Sequence, residues 1–156
     1  RVYNFAVQGL HNFLIGKSGF VTHNSACDIT KAVSGIYKIA SKEGHYYIGK
    51  GDWTRAQRSK RRTSRTIEAD VEMKWYEVKG IDGGGPDLSA ERMAYMFEYK
   101  MLEDLKGKNG MTKMNKIQSD GAGYYKRLNP EQKAAVDTEY NKVLGSDPKT
   151  ATTNNH

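Results

Sequence analysis

The chain has 156 residues, 25 Lys and Arg against 18 Asp and Glu, a formal charge of +7, 37% hydrophobic residues and a single Cys. That length suits one ordinary domain with a short appendage; one thiol excludes an internal disulfide and a Cys-rich zinc site, and no apolar run approaches the roughly 20 residues of a membrane helix. The basic excess favours a polyanionic partner over a membrane.

In chain order, residues 2–22 read as short strands joined by tight turns. Val2, Phe5 and Val7 are followed by Phe13, Leu14 and Ile15, then by Phe20 and Val21, with Gly9, Gly16 and Gly19 as punctuation. Residues 25–34 carry small side chains and read as a linker. The start at Arg1, with no charged-then-apolar leader, is what a segment of a longer chain is expected to show. Gly35-Ile36-Tyr37-Lys38-Ile39-Ala40 and Tyr46-Tyr47-Ile48-Gly49 flank a polar turn at 41–45 and predict a β-hairpin. Over 53–65, Arg55, Arg58 and Arg62 recur three and four residues apart, which predicts a helix with a basic face.

Residues 67–75 alternate apolar and charged side chains without a slip, predicting a half-buried strand. Gly83 to Pro86 then break the chain before Asp87 or Ser89, either of which suits the cap of a helix to about Lys106, stopped by Gly107. Ala94, Phe97, Met101, Leu102 and Leu105 are its apolar stripe. Asn129-Pro130 predicts a last helix ending near Gly145, and the polar residues 146–156 predict a flexible tail. The order implies an α+β fold: a small, mostly antiparallel three-stranded sheet flanked by helices over 35–128, a C-terminal helix at 129–145, and a short β-rich remnant at 1–24.

The charge is local. Residues 31–66 hold ten basic side chains (Lys31, Lys38, Lys42, Lys50, Arg55, Arg58, Lys60, Arg61, Arg62 and Arg65) against Glu43 and Asp52, so this window alone is +8. Such a field can neutralise phosphates, and Lys38, Lys60, Arg61, Arg62 and Arg65 are the expected nucleic-acid contacts.

Gly35-Ile36-Tyr37 and Tyr47-Ile48-Gly49, followed by Lys50, resemble the signature of the GIY-YIG nuclease family, with all six motif positions literal. A hairpin brings two phenols and an ammonium close together, and a cation near a phenol favours phenolate. The resemblance implies that Tyr37 and Tyr47 are catalytic, that Tyr47 takes the proton from the attacking water, and that Lys50 helps lower its pKa. It also implies an arginine on the first helix to stabilise charge on the scissile phosphate. The position ten after Tyr47 is Gln57, a departure from the repair enzymes of the family, so Arg55 and Arg58 are the candidates; a shorter Gly49-Lys50-Gly51 loop favours Arg55. The family's single metal-binding glutamate corresponds to Glu98, a lone acid in an apolar stretch where a carboxylate is costly to bury without a cation. The implied cofactor is one divalent ion, Mg²⁺ or Mn²⁺. Asn115 matches an asparagine near the family's site, as a contact to phosphate or to the metal's water, or as an ordinary turn asparagine. His45 falls in the hairpin turn, outside the motif, and reads as a solvated loop histidine.

Residues 2–25 resemble the C-terminal end of a Hint (intein-like) module. Its block ends in His23-Asn24-Ser25, where an Asn amide can attack its own carbonyl and cleave the following bond, assisted by the preceding His. In that reading His11 is the upstream histidine and Ser25 begins the released product. A Hint end before a small nuclease is similar to the tail of bacterial polymorphic toxins. This implies delivery from a bacterium into a target cell as part of a larger secreted protein, a cognate immunity protein, and a nucleic-acid substrate, with DNA favoured over RNA. A repair or homing endonuclease, a non-catalytic nucleic-acid-binding module and a toxin tip acting on a different target are the alternatives.

Overall fold

The computed structural model describes residues 33–108 and 110–152, and the backbone of 12–15, 20–23 and 153. The chain divides into two compact units, 1–32 and 33–156, and the division falls inside the expected linker. In the first unit, β1 (Asn12–Ile15) and β2 (Phe20–His23) pair antiparallel, with Asn12 opposite His23. His11, Asn24 and Ser25 lie outside the described residues, as does the side chain of His23.

The second unit is α+β. The expected hairpin is present as β3 (Gly35–Ser41) and β4 (His45–Lys50), with Tyr37 opposite Gly49. Its turn closes at Gly44, whose φ of 86° lies in the left-handed region that glycine adopts without steric cost. On the other side of β3 lies β5 (Val71–Glu77), also antiparallel. These three strands are the expected sheet, but the full sheet has five strands and is mixed. The two-residue strand β6 (Thr112–Lys113) pairs parallel to β4, and β7 (Lys149–Thr153) pairs antiparallel to β5, in the order β6-β4-β3-β5-β7. The expected tail at 146–156 therefore contains a strand over 149–153. Its threonines are β-branched and suit a pleated edge, which polarity alone conceals.

Helix α1 (Trp53–Ile67) is longer than expected and consumes the start of the alternating segment. Ile67 is its last residue; Glu68 turns left-handed at φ 52°, and the Ser64 hydroxyl donates to the Ala69 carbonyl at 2.7 Å before β5 begins at Val71. Helix α2 (Ala90–Leu105) follows a 3₁₀ turn at Pro86–Leu88, so Ser89 occupies the cap position and Asp87 lies in the turn. The short helix α3 (Gly121–Arg127) was hidden by its glycines. Gly121 lies against the backbone carbonyl of Tyr95, where a Cβ has no room. Helix α4 (Pro130–Leu144) starts at Asn129 as expected, with a reciprocal capping box between Asn129 and Gln132.

The sheet's two faces have separate cores. Tyr37, Ile39, Val71, Met73 and Trp75 pack with Ala56 of α1. Ile36, Tyr46 and Ile48 pack with Met93, Met96 and Phe97 of α2 and Val136 and Tyr140 of α4. Helix α1 is an unusual cover. Besides Ala56 it buries Ser59, Lys60, Thr63 and Ser64, leaving its arginines in solvent. Among the described residues, no helix is long and apolar enough to cross a membrane.

Candidate active site

The motif glycines have a steric reason to be glycine. A Cβ on Gly35 would overlap the Trp75 indole, and one on Gly49 would overlap the Tyr37 ring. Tyr37 thus lies flat across its cross-strand neighbour, 1% exposed, with its hydroxyl 2.8 Å from Ser59 Oγ of α1. Burial pushes the Tyr37 phenol above its ordinary pKa, against the opposing pull of the Ser59 hydrogen bond. At 1% exposure this phenol is fitted to positioning its neighbours, Ser59 and Gly49, rather than to meeting a substrate. Tyr47 is the accessible motif tyrosine: it is half-buried, with its ring 6.3 Å from that of Tyr37.

Because β6 ends after two residues, the outer edge of β4 is open beyond Tyr46. Asn115 takes over the pairing there. Its Oδ1 accepts from the Ile48 N–H at 2.9 Å and its Nδ2 donates to the Ile48 carbonyl at 2.7 Å, reproducing a strand's hydrogen bonds with one side chain. Those bonds commit Asn115 to holding the 114–120 segment beside β4, whereas the family resemblance implied a contact to phosphate or to a metal-bound water.

At this open edge lies a cleft of about 510 Å³, lined among others by Tyr47, Lys50, Arg62, Glu98, Ser119 and Asp120. Lys50 and Tyr47, three residues apart, leave opposite faces of β4 and both reach it. Lys50 Nζ stands 3.6 Å from Glu98 Oε2 and 3.8 Å from the centre of the Tyr95 ring, so it pairs with the Glu98 carboxylate. The Ser119 hydroxyl donates to Glu98 Oε2 at 2.8 Å. A second cleft of about 250 Å³ is shared by Tyr47, Arg55, Arg58, Ser59 and Arg62, and a third, of about 390 Å³, runs between Arg58, Arg61, Arg62, Arg65 and Thr66. Tyr47 and Arg62 line both clefts that contain motif residues, and the Arg62 guanidinium lies 5.9 Å from the Tyr47 ring centre.

Of the residues named from the sequence, Tyr47, Lys50, Glu98 and Asn115 line one cleft, Arg55 and Arg58 the smaller one beside it, and Tyr37 lines neither. Two expected nucleic-acid contacts lie elsewhere. Lys60 is 6% exposed and donates from Nζ to the Thr152 carbonyl at 3.0 Å, tying α1 to β7. Its pKa is lowered by burial and by neighbouring Arg61. Lys38 leaves β3 on the Ile36 side, opposite the face that α1 covers, and its pKa is lowered by burial and by Lys108 and Lys74. Arg55, Arg58, Arg61, Arg62 and Arg65 are all exposed on α1, and none forms a salt bridge among the described residues. His45 begins β4 instead of standing in the turn, with Nδ1 buried and without a hydrogen-bond partner.

No family model, no curated protein and no solved structure matches this chain. The functional reading rests on the residues and their geometry.

Sequence reasoning missed Ser119 and Asp120 at the cleft and Tyr95 beneath Lys50. Ser119-Asp120 before Gly121 is a turn and helix-start signal that marks the α3 entry. Among the described residues there is no group of three or more His, Cys, Asp and Glu able to form an all-protein cage. Glu98 and Asp120, on the same cleft, carry the hard carboxylate oxygens that would hold an ion such as Mg²⁺, which usually binds through one or two carboxylates and keeps several waters.

Proposed function

We propose that residues 33–156 form a metal-dependent nuclease of GIY-YIG type that hydrolyses phosphodiester bonds, with DNA the favoured substrate. The observation that carries this reading is the convergence of Tyr47, Lys50 and Glu98 on one cleft, next to a helix whose exposed face is arginine and which contains no acidic residue. In this reading Tyr47 acts as a phenolate, which the neighbouring α1 arginines favour, and its oxygen accepts a proton from the attacking water to become the neutral phenol. Arg55 or Arg58, which share the smaller cleft with Tyr47, donates to the non-bridging oxygens of the pentavalent phosphate, and Arg62 reaches both clefts from the next turns of α1. Glu98, held by Ser119, would bind Mg²⁺ or Mn²⁺ together with water. A bound ion would supply charge stabilisation to the leaving oxygen. Lys50 balances the Glu98 carboxylate and keeps it facing the cleft.

Release from a larger secreted toxin, delivery into a target cell and neutralisation by an immunity protein that covers the basic face belong to the same proposal. They are supported by the Hint-like sequence at 1–24. A non-catalytic nucleic-acid-binding module is the second reading, favoured by the fact that Glu98 already faces a cation in Lys50.

The test is to incubate the protein with plasmid DNA and total RNA, with Mg²⁺ or Mn²⁺ and with EDTA. The expected result is DNA cleavage that EDTA stops and that Tyr47→Phe and Glu98→Ala abolish. Intact DNA and RNA in the presence of metal, with binding retained, would leave the binding-module reading in its place.

A further inference from the structure

On α2 and α3, which lie on the sheet face opposite α1, two arginines share one tyrosine. The Arg92 guanidinium of α2 lies 4.0 Å from the centre of the Tyr124 ring, and that of Arg127, at the end of α3, lies 5.2 Å from the same ring. Arg127 is exposed and Arg92 half-exposed. Neither makes a salt bridge among the described residues, although Glu91 precedes Arg92 in the chain. Gathering two cations around one ring costs repulsion that the ring's negative face offsets only in part. A guanidinium resting on an aromatic ring, as Arg92 does at 4.0 Å, has N–H donors left over for a phosphate, which its planar fork matches.

The station is connected to the cleft. Tyr124 meets Tyr95 edge to face at 5.3 Å, and Tyr95 carries Lys50 at 3.8 Å. Arg92 is thus three short steps from the ammonium beside Glu98. Helix α1 covers one face of the sheet, while α2, against which α3 packs, covers the other; the cleft opens at the β4 edge between them.

We propose that Arg92 and Arg127, set by Tyr124, form a second phosphate-contact site that grips the same nucleic-acid strand as α1, at phosphates on the far side of the cleft. The proposal rests on the nuclease reading for its ligand and extends it by a surface that the +8 window does not contain. Arg92 and Arg127 hold the backbone and take no part in the proton transfer at Tyr47.

The test measures binding in EDTA, so that no cleavage intervenes, from the fluorescence anisotropy of a short labelled DNA, as single strand and as duplex, between about 50 and 200 mM salt. Wild type, R92Q/R127Q, R92K/R127K and the α1 variant R61Q/R65Q are compared, each checked by thermal melting. Loss of two phosphate contacts should weaken binding by roughly tenfold at low salt and flatten the log–log salt slope by about 1.4 for the single strand and 1.8 for the duplex. The lysine pair should retain most of the slope. Wild-type binding by R92Q/R127Q, with R61Q/R65Q weakened, would overturn this site and leave the nuclease reading standing. A wild-type protein that binds neither probe would overturn this site, while the nuclease reading answers to the cleavage assay with metal. Weakening with an unchanged slope would assign the arginines to packing on Tyr124, and polyglutamate competing as strongly as DNA would assign them to an acidic protein partner; either result overturns the proposal.

Discussion

Phenylalanine at each motif tyrosine in turn separates the two roles the geometry assigns. In Tyr37→Phe the ring still covers Gly49, but a hydrogen bond of 2.8 Å is lost in a place where Tyr37 is 1% and Ser59 8% exposed. A buried hydrogen bond contributes about 1 kcal/mol, and a hydroxyl left without its partner adds to the loss, so roughly 1–2 kcal/mol should disappear. For a unit of this size that is a fall in Tm of roughly 3–10 °C. Tyr47 is half-buried at the cleft, and Tyr47→Phe should move Tm by less than about 2 °C while lowering cleavage by roughly 10²–10⁴, the usual range for loss of a general base. Tyr37→Phe should lower cleavage by less than tenfold, since the residue is only 1% exposed and its hydroxyl is bonded to Ser59 rather than turned to the cleft. Differential scanning fluorimetry beside a plasmid-nicking time course reads both effects. An unchanged Tm with abolished cleavage in Tyr37→Phe would refute the assignment of that residue to positioning.

Three further outcomes follow from the same geometry. Gly49→Ala drives a methyl into the buried Tyr37 ring and should cost roughly 3 kcal/mol or more, whereas Gly123→Ala, with open space around it in α3, should raise stability by about 0.5–1 kcal/mol; chemical denaturation of both variants checks the opposite signs. Lys60→Met removes the hydrogen bond to Thr152 but keeps the buried stem, so amide exchange at the β7 edge should accelerate while DNA affinity stays within about twofold of wild type; a tenfold loss of affinity would return Lys60 to the phosphate-binding face. Burial, together with the hydrogen bond and charge of Asp137, pushes the Tyr125 phenol up to about 12, above the value near 10 of an unfolded chain. The stability it contributes is complete below about pH 10 and is lost as pH rises toward 12, so Tyr125→Phe should show a shallower fall of Tm across that window.

The hairpin, the basic helix, α2 and the capped α4 were legible because each has a local signature: alternation, helical spacing, or Asn-Pro at a helix start. Tyr47, Lys50 and Glu98 were legible through the motif they resemble. The boundary at 67–70 was not, because Ile67 and Ala69 continue an apolar alternation by coincidence while Ser64 ends the helix beneath them. Nor was β7, whose threonines and lysine look like a solvated tail until Lys60 and the open edge of β5 hold them.

Composition and spacing alone determined that the chain carries a local positive field on a hairpin and helix, and the resemblance to the GIY-YIG motif singled out the tyrosines within it and Glu98 beyond it. Only the tertiary structure decided which of those residues meet. It buried Tyr37 and left Tyr47 at the cleft, turned Lys60 inward and placed Lys38 on the other face of the sheet. It also gave Asn115 to the β4 edge and brought Arg62, Ser119 and Asp120 to Glu98's cleft. The physical reason is that a strand's alternation and a helix's turn define faces, but what covers each face depends on segments far along the chain. A two-residue strand at 112–113 leaves the edge open, and a strand at 149–153 closes the opposite one.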